Sequence, residues 1–149
     1  MRFLPMPLLC LLLLTLAVAA PVRADGPDRV APVSDPLVRK ECGECHMAFQ
    51  PGLLPAGSWR RIMQTLSDHF GDRATLPPDQ VALITAYLTA NAGEGDPALS
   101  RITEQGWWRH EHRKRWTDWL RAEGSVKAKA RSDCAACHRD AERGLYEDD

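Results

Sequence analysis

Beyond its first 36 residues, the chain places apolar side chains at helical spacing and separates these segments by loops rich in proline and glycine. The segment "WRRIMQTLSDHF", residues 59–70, is amphipathic, and we predict a helix that Ser58 caps and Gly71 ends. Its apolar positions share one side of that helix: Trp59, Ile62, Met63, Leu66 and Phe70. A surface of this width predicts packing against a core.

A second helix is predicted in "PPDQVALITAYLTANAG", residues 77–93. Pro78 suits its first turn, and Gly93 lies just beyond its end. The positions expected to face inward are Val81, Ile84 and Leu88. A third, longer helix is predicted from a Thr103 cap through "EQGWWRHEHRKRWTDWLRAEG", residues 104–124.

The remaining segments are short helices and loops. A short helix is expected over 37–46, and a further helical stretch follows Gly124. The loop "MAFQPGLLPAG", residues 47–57, carries three apolar side chains, Phe49, Leu53 and Leu54. Strand signals are few, so the predicted fold class is all-α, and "GEGDP", residues 93–97, is the expected boundary between two halves.

The start of the chain has the three-part pattern of a secretory signal. Arg2 is followed by an apolar run over 8–20 and by small side chains before an expected cleavage after Ala24. The run is too short for a typical membrane span, and Cys10 lies inside it, where a lipid-anchored cysteine is not expected. We therefore predict that 1–24 are a signal peptide and that 25–36 form an extended, poorly ordered lead-in.

Removal of the predicted signal changes the composition. Of 149 residues 125 remain, and the loss of Arg2 and Arg23 leaves 17 basic against 20 acidic residues, a net charge of −3. This balance excludes a nucleic-acid binder. It also removes Cys10, so that four of the five cysteines remain.

The pattern C-x-x-C-H occurs twice. Its residues are Cys42, Cys45 and His46 in the first copy, and Cys134, Cys137 and His138 in the second. Disulfides or zinc could use such cysteine pairs, but neither needs a histidine directly after each pair, and 88 residues separate the two pairs. Covalent haem needs both thiols for thioethers and the histidine for the iron, so we predict haem c at each copy, named haem 1 and haem 2 in chain order.

The second ligand of each iron decides the chemistry. For haem 1 the candidates are His69 and Met63, which lie on the predicted helix of residues 59–70, while Met47 is too close to His46 to reach round. A histidine on an apolar face is commonly a core residue, but an iron is expected in the same half of the chain. His69 is the predicted ligand.

For haem 2 no methionine follows Met63, which leaves His110 and His112. Two steps along a helix turn a side chain by about 200°, so both cannot face one haem. His112 belongs to an aromatic stripe with Trp108, Trp116, Trp119 and Leu120. His110 shares the wetter side with Trp107, Lys114, Thr117 and Arg121. Packing of an ordinary core would also explain the stripe; His112 is the predicted ligand, and His110 is the alternative.

Two imidazoles per iron lower its potential relative to histidine with methionine and leave no position for oxygen or peroxide. The sequence offers no catalytic base or substrate cleft, so we expect an electron carrier, not an enzyme. The expected units are a haem domain over 37–92, a linker over 93–99 and a second haem domain over 100–149. Each is too small to bury a large core without its haem.

The segments "CGECHMAFQPGLLPAGSW" (42–59), His69-Phe70-Gly71, "ITEQGWWRHEHR" (102–113) and the terminal C-x-x-C-H together resemble the dihaem cytochrome c family of proteobacteria. The resemblance covers nearly all of 25–149. It implies a periplasmic, helical, two-domain protein with two bis-histidine haems, and as partners a sphaeroides-type monohaem cytochrome and a membrane b-type cytochrome. It implies His46 with His69 on haem 1, and His112 with His138 on haem 2. The extra histidine at 110 departs from the family's pattern.

Other functions stay open on the sequence alone. A sensor or carrier of NO, CO or oxygen would have one open or displaceable axial position. A dihaem peroxidase or a relay subunit of a larger complex are further alternatives, although the chain is short for a peroxidase. A basic cluster near haem 2, Arg109, Arg113, Lys114 and Arg115, is more typical of a solvated helix face than of a docking site.

Overall fold

The computed structural model describes residues 28–113 and 130–147. Its α-helices are α1 (Pro36–Cys42), α2 (Ala56–Gln64), α3 (Pro78–Ala90) and α4 (Gly106–Glu111). Short 3₁₀ helices lie at Pro51–Leu53, Leu66–Asp68, Ile102–Glu104, Cys134–Ala136 and Ala141–Arg143. Within these residues β pairing is limited to isolated bridges, so the predicted all-α class with long loops is confirmed. The predicted signal peptide, residues 1–24, lies outside the described residues.

None of the helices in 28–113 or 130–147 has the length and apolar content needed to cross a membrane.

Helix α1 begins because Asp35 caps it. The Asp35 carboxylate accepts hydrogen bonds from the backbone N–H groups of Leu37 (2.8 Å) and Val38 (3.0 Å), and Pro36 fits the first turn. The helix ends at Cys42, so it is shorter at its carboxyl end than the predicted 37–46. The first cysteine of the first motif therefore stands on a capped helix.

Helix α2 begins and ends earlier than predicted. It starts at Ala56, and Ser58 lies inside it, fully buried, with its hydroxyl donating to the Leu99 carbonyl. The predicted Ser58 cap is wrong because Pro55 occupies the cap position, and the Ser58 hydroxyl is used in this long-range hydrogen bond. The helix stops at Gln64, so residues 65–70 are not part of it.

Helix α3 agrees with the prediction. It spans Pro78–Ala90, Ile84 and Leu88 are buried, Val81 is half-buried, and Gly93 follows its end. It packs mainly against α2. The buried apolar cluster contains Val30, Val33, Val38, Leu53, Leu54, Trp59, Ile62, Met63, Ile84, Leu88, Ile102 and Trp108.

The loop after the first motif crosses the end of α3 at close range. The Gly93 N–H donates to the Leu54 carbonyl at 3.0 Å, and a Cβ at Gly93 would lie 1.9 Å from the Gly52 carbonyl oxygen. Only glycine fits at Gly93. The crossing holds Leu53 and Leu54 in the core.

The lead-in is extended but well packed over the part that the structure describes. Val30 and Val33 are buried. The Val30 N–H donates to the Gly144 carbonyl, and the Tyr146 N–H donates to the Asp28 carbonyl, each at 2.8 Å. The prediction of poor order is therefore wrong for residues 28–35, because the carboxyl-terminal segment gives this stretch a backbone partner.

The predicted third helix is interrupted. A 3₁₀ helix spans Ile102–Glu104, α4 spans Gly106–Glu111, and 112–113 form a turn. Thr103 is therefore not a cap. Gln105, fully buried between the two, accepts from the Asp96 N–H (2.8 Å) and so ties the loop 93–99 to α4. The rest of the predicted helix falls in 114–129, outside the described residues, with Trp116, Trp119, Leu120 and Gly124. The division into domains at 93–99 stays a prediction.

Candidate functional site

The first C-x-x-C-H motif leaves α1 through a tight turn. Cys42 is the last residue of α1 and is half-buried, while Cys45 is exposed. A Cβ at Gly43 would lie 2.4 Å from the Arg39 carbonyl oxygen, so the turn needs glycine between the cysteines. His46 follows at the surface of the described chain.

The second motif forms a different local structure. Its first three residues form the 3₁₀ helix Cys134–Ala136, and the His138 N–H donates to the Cys134 carbonyl at 2.8 Å. Burial raises the pKa of the Cys134 thiol to about 11 and also raises the pKa of Cys137. The thiols of both motifs are free, as thioether attachment requires.

His46 and His69 face each other. Their ring centroids are 6.3 Å apart, and the ring planes differ by 25°. An imidazole nitrogen binds a metal at about 2 Å and lies about 1 Å from its ring centre, so two imidazoles on opposite sides of one iron have centres about 6 Å apart. The measured separation fits one iron between the two rings.

His69 reaches this position from a turn, not from a helix. It follows the 3₁₀ helix Leu66–Asp68, and its N–H donates to the Asp72 carbonyl at 2.6 Å. Burial, and next the neighbouring His46, lower the pKa of His69, which favours the neutral imidazole that a metal binds.

The residue after His69 is also displaced from its predicted place. Phe70 was predicted on the apolar face of a helix, but it has a φ of 58° and is 45% exposed. Its ring meets the His69 ring edge-on at 4.9 Å, and the Arg101 guanidinium lies 4.2 Å above the ring. The left-handed backbone turns the chain sharply directly after His69.

A backbone carbonyl orients the His46 ring. The His46 Nδ1 lies 2.8 Å from the Met47 carbonyl oxygen, so Nδ1–H donates and Nε2 is left to bind a metal. Phe49 stacks on the same ring at 4.8 Å.

His112 faces His138 in the same way. The ring centroids are 6.2 Å apart, but the planes differ by 83°. The His112 Nδ1 lies 2.8 Å from the Trp108 carbonyl oxygen, and its ring stacks on the buried Trp108 ring at 4.1 Å and 11°. This orientation leaves Nε2 as the nitrogen able to bind a metal. His110, the alternative ligand that the sequence left open, is exposed.

Met63, the competitor of His69, lies in the buried core on α2 at 6% exposure. The structure thus brings together His46 with His69 and His112 with His138, the pairs that the sequence predicted.

Sequence reasoning missed Gln50 and Tyr146. Gln50 is fully buried, and the Tyr146 ring meets the His138 ring edge-on at 5.6 Å and 71°. Gln50 gave one weak signal, since it is the polar residue in the otherwise apolar "AFQPGLL". Tyr146 precedes the acidic "EDD", which favours an exposed tail, so no local pattern pointed to it.

Comparison with known proteins decides the family. The model of the family described as "Dihaem cytochrome c" matches residues 38–146, which include both motifs and all four paired histidines. The chain belongs to the dihaem cytochrome c family. The predicted family is therefore confirmed, and this dihaem cytochrome c carries two haem c groups.

Solved structures of diheme cytochromes resemble it over most of their length. DHC purified from Rhodobacter sphaeroides is 41% identical, with a TM-score of 0.64, over 76% of this chain and 98% of that one. A second structure, a diheme cytochrome c from the same organism, is 39% identical, with a TM-score of 0.65, over 78% and 99%. The diheme cytochrome sb-DHC from Shewanella baltica is 36% identical, with a TM-score of 0.64, over 75% and 86%. The chain matches none of the curated proteins.

The residues present fit two haems. Each motif offers two free thiols, and each motif histidine has a second imidazole at the spacing that one iron requires. Cys42 and Cys45 would hold haem 1, and Cys134 and Cys137 would hold haem 2. The histidine ligands stay a prediction, now with a geometry that suits them.

Proposed function

We propose that this dihaem cytochrome c carries single electrons between other redox proteins in the periplasm, through two low-spin haems that each have two histidine ligands. The observation that carries the proposal is the pair of imidazole separations, 6.3 Å for His46 with His69 and 6.2 Å for His112 with His138. Both are close to the separation of about 6 Å that one shared iron imposes.

When bound, each haem supplies an iron that gains and loses one electron. His46 with His69 and His112 with His138 would hold the two irons, and nitrogen ligands on both sides would favour a lower potential than histidine with methionine. Iron held in this way would have no position left for oxygen, carbon monoxide or peroxide. These properties suit a carrier better than a sensor or a peroxidase.

Hydrogen bonds to backbone carbonyls support this role. The Nδ1 atoms of His46 and His112 each lie 2.8 Å from a carbonyl oxygen, of Met47 and Trp108 respectively. Such contacts fix the ring orientation and raise the basicity of the other nitrogen. A ligand held in this way is harder to displace by a small molecule, which argues against the gas-binding alternative.

The proposed location rests on the sequence of residues 1–24, which has the pattern of a cleaved secretory signal. Haem c at two C-x-x-C-H motifs is consistent with an exported protein. As partners we propose redox proteins, among them a monohaem c-type cytochrome and a membrane b-type cytochrome, on the family's association alone. Nothing in the chain indicates nucleic-acid binding.

Carbon monoxide tests the proposal against the gas-binding alternative. We expect that the fully reduced protein, exposed to carbon monoxide, keeps the visible spectrum of two six-coordinate haems over minutes. Rapid, stoichiometric formation of a carbon monoxide adduct at one haem would overturn the carrier proposal in favour of a sensor with a displaceable ligand.

A further inference from the structure

One buried amide joins the segments that follow the two haem motifs. Gln50 is fully buried, four residues after His46. Its Nε2 donates to the carbonyls of Ala141 (2.7 Å) and Glu142 (3.3 Å), and its Oε1 accepts a hydrogen bond from the Tyr146 hydroxyl. Both ends of the amide are therefore satisfied by the carboxyl-terminal segment.

Each end of this connection continues to a histidine that faces an iron site. Phe49, next to Gln50, stacks on the His46 ring at 4.8 Å. At the other end the Tyr146 ring meets the His138 ring edge-on at 5.6 Å. We call Gln50 and Tyr146 the bridge, because they link the two motif histidines by ring contacts and hydrogen bonds.

Backbone contacts keep the bridge at a fixed place. The Ala141 N–H donates to the His138 carbonyl at 3.0 Å. Since the Ala141 carbonyl also accepts from Gln50, this residue connects the Gln50 amide to the backbone of the motif histidine. On the opposite side, the Tyr146 N–H donates to the Asp28 carbonyl at 2.8 Å. The phenol is thus held from its backbone and from its hydroxyl.

A pair of apolar residues could fill the same space without this geometry, and replacing a buried polar pair in that way is commonly near neutral in stability. What a fully satisfied buried polar pair adds is a single defined arrangement, because hydrogen bonds in a low-dielectric interior are strong and directional. Precise placement matters most for a step that depends steeply on distance and orientation, and electron exchange between two haems is such a step.

We propose that Gln50 and Tyr146 are positioning residues that hold the His138 imidazole in register with the loop of His46, and so set the rate at which the two haems exchange an electron. The proposal rests on the electron-carrier function proposed above. In this exchange one electron leaves one iron, which is oxidised, and is gained by the other, which is reduced. No proton moves and no bond is made or broken.

The test uses the chain's two described tyrosines. Tyr146→Phe removes the bridge hydroxyl and keeps the ring against His138. Tyr87→Phe is the matched control, since the Tyr87 hydroxyl accepts from the Ser34 N–H at 2.9 Å. Both variants of the two-haem protein lose one hydroxyl hydrogen bond.

Two readouts are measured on both variants. The first is the rate of electron exchange between the two haems of half-reduced protein, measured by NMR exchange between haem methyl signals. The intramolecular rate is the component that does not change with protein concentration. The second is the EPR signal of haem 2 in the oxidised protein, which reports the orientation of its imidazoles. We expect Tyr146→Phe to slow the exchange several-fold and to shift or broaden the haem 2 signal, while Tyr87→Phe leaves both unchanged.

A second substitution tests whether the two residues act as a unit. Gln50→Leu should slow the exchange at least as much as Tyr146→Phe, and adding Tyr146→Phe to it should cause little further slowing, because the same hydrogen bond is already lost. Equal exchange rates and equal haem 2 signals in Tyr146→Phe, Gln50→Leu and Tyr87→Phe would overturn the proposal. Fully additive slowing would overturn the claim that they form one bridge.

These outcomes differ from a failure of the carrier function. Rapid carbon monoxide binding by the unaltered protein would contradict the carrier function alone. The haem 2 signal would still report whether the bridge orients His138, since that comparison is made on the oxidised protein without any partner or ligand.

Discussion

His110 and His112 stand two residues apart in "RHEH", and their surroundings differ. His112 is half-buried, stacks on Trp108 and faces His138, whereas His110 is exposed. The stacked tryptophan and the hydrogen bond to its carbonyl hold the His112 ring in one orientation.

From this difference we predict opposite results for two substitutions. His112→Ala should leave haem 2 without its second ligand, so that this haem becomes high-spin when oxidised and binds carbon monoxide when reduced. His110→Ala should leave the spectra of both haems unchanged. Visible absorption with and without carbon monoxide checks both.

The result that would contradict this assignment is the reverse pattern, with carbon monoxide binding after His110→Ala and none after His112→Ala. A haem that stays six-coordinate in both variants would show that neither residue is the ligand.

Where the chemistry depends on spacing, the sequence alone is enough to name the candidate site residues. Two C-x-x-C-H copies locate four thiols and two histidines without any knowledge of the fold. His69 was selected as a member of an apolar helix face, yet α2 ends at Gln64 and His69 lies in a turn. Its ring lies 6.3 Å from that of His46 all the same. The prediction of His69 depended on how few side chains in that half could bind an iron, and less on the helix.

Helix boundaries were predicted less well than helix existence. Ser58 and Thr103 suit caps by local rules, but the Ser58 hydroxyl donates to Leu99, 41 positions away. Gln105 ends the 3₁₀ turn that contains Thr103 by binding the loop at Asp96. Long-range hydrogen bonds of this kind leave no local pattern. The first and last turns of α3 are instead closed by local backbone bonds, from the Val81 N–H to the Pro77 carbonyl and from the Asn91 N–H to the Tyr87 carbonyl, and its bounds agree with the prediction.

The crossing of the loop after the first motif with the end of α3 gives a prediction about stability. Gly93→Ala should lower the free energy of unfolding by about 1–3 kcal/mol, because the new methyl would overlap the Gly52 carbonyl. Gly106→Ala is the matched control: a Cβ there meets nothing within 4 Å, and alanine at a helix start should be neutral or stabilise by up to about 1 kcal/mol.

Guanidinium unfolding of the two-haem protein, followed by far-ultraviolet circular dichroism, measures both changes. Equal stabilities of the two glycine variants would show that the loop and α3 do not meet as closely as described.

The two described segments, 28–113 and 130–147, contribute unequally to the core. The buried apolar cluster is drawn from residues 30–108. Within 130–147 the buried residues are Ala141 and Gly144, with Tyr146 half-buried against the cluster. We therefore expect residues 130–147 to depend on their haem and on the bridge for their order more than residues 28–113 do.

This asymmetry predicts different consequences for loss of each haem. With Cys134→Ala and Cys137→Ala, residues 28–108 should stay folded while the carboxyl-terminal segment becomes sensitive to protease. With Cys42→Ala and Cys45→Ala, the loss of haem 1 should loosen the larger half as well. Limited proteolysis with mass spectrometry locates the cuts, and equal cutting of both halves in the two variants would contradict the prediction.

The central claim, two irons each held between two imidazoles, is tested most directly by EPR and near-infrared spectra of the oxidised protein. When the two imidazole planes are nearly parallel, their effects on the splitting of the iron d orbitals add. When the planes are perpendicular, the two effects largely cancel and the splitting is small. With planes at 25° for haem 1 and 83° for haem 2, we predict two distinct low-spin signals, one rhombic and one strongly anisotropic, in equal amounts. A high-spin ferric signal, or a near-infrared band of methionine-ligated iron, at either haem would contradict the account.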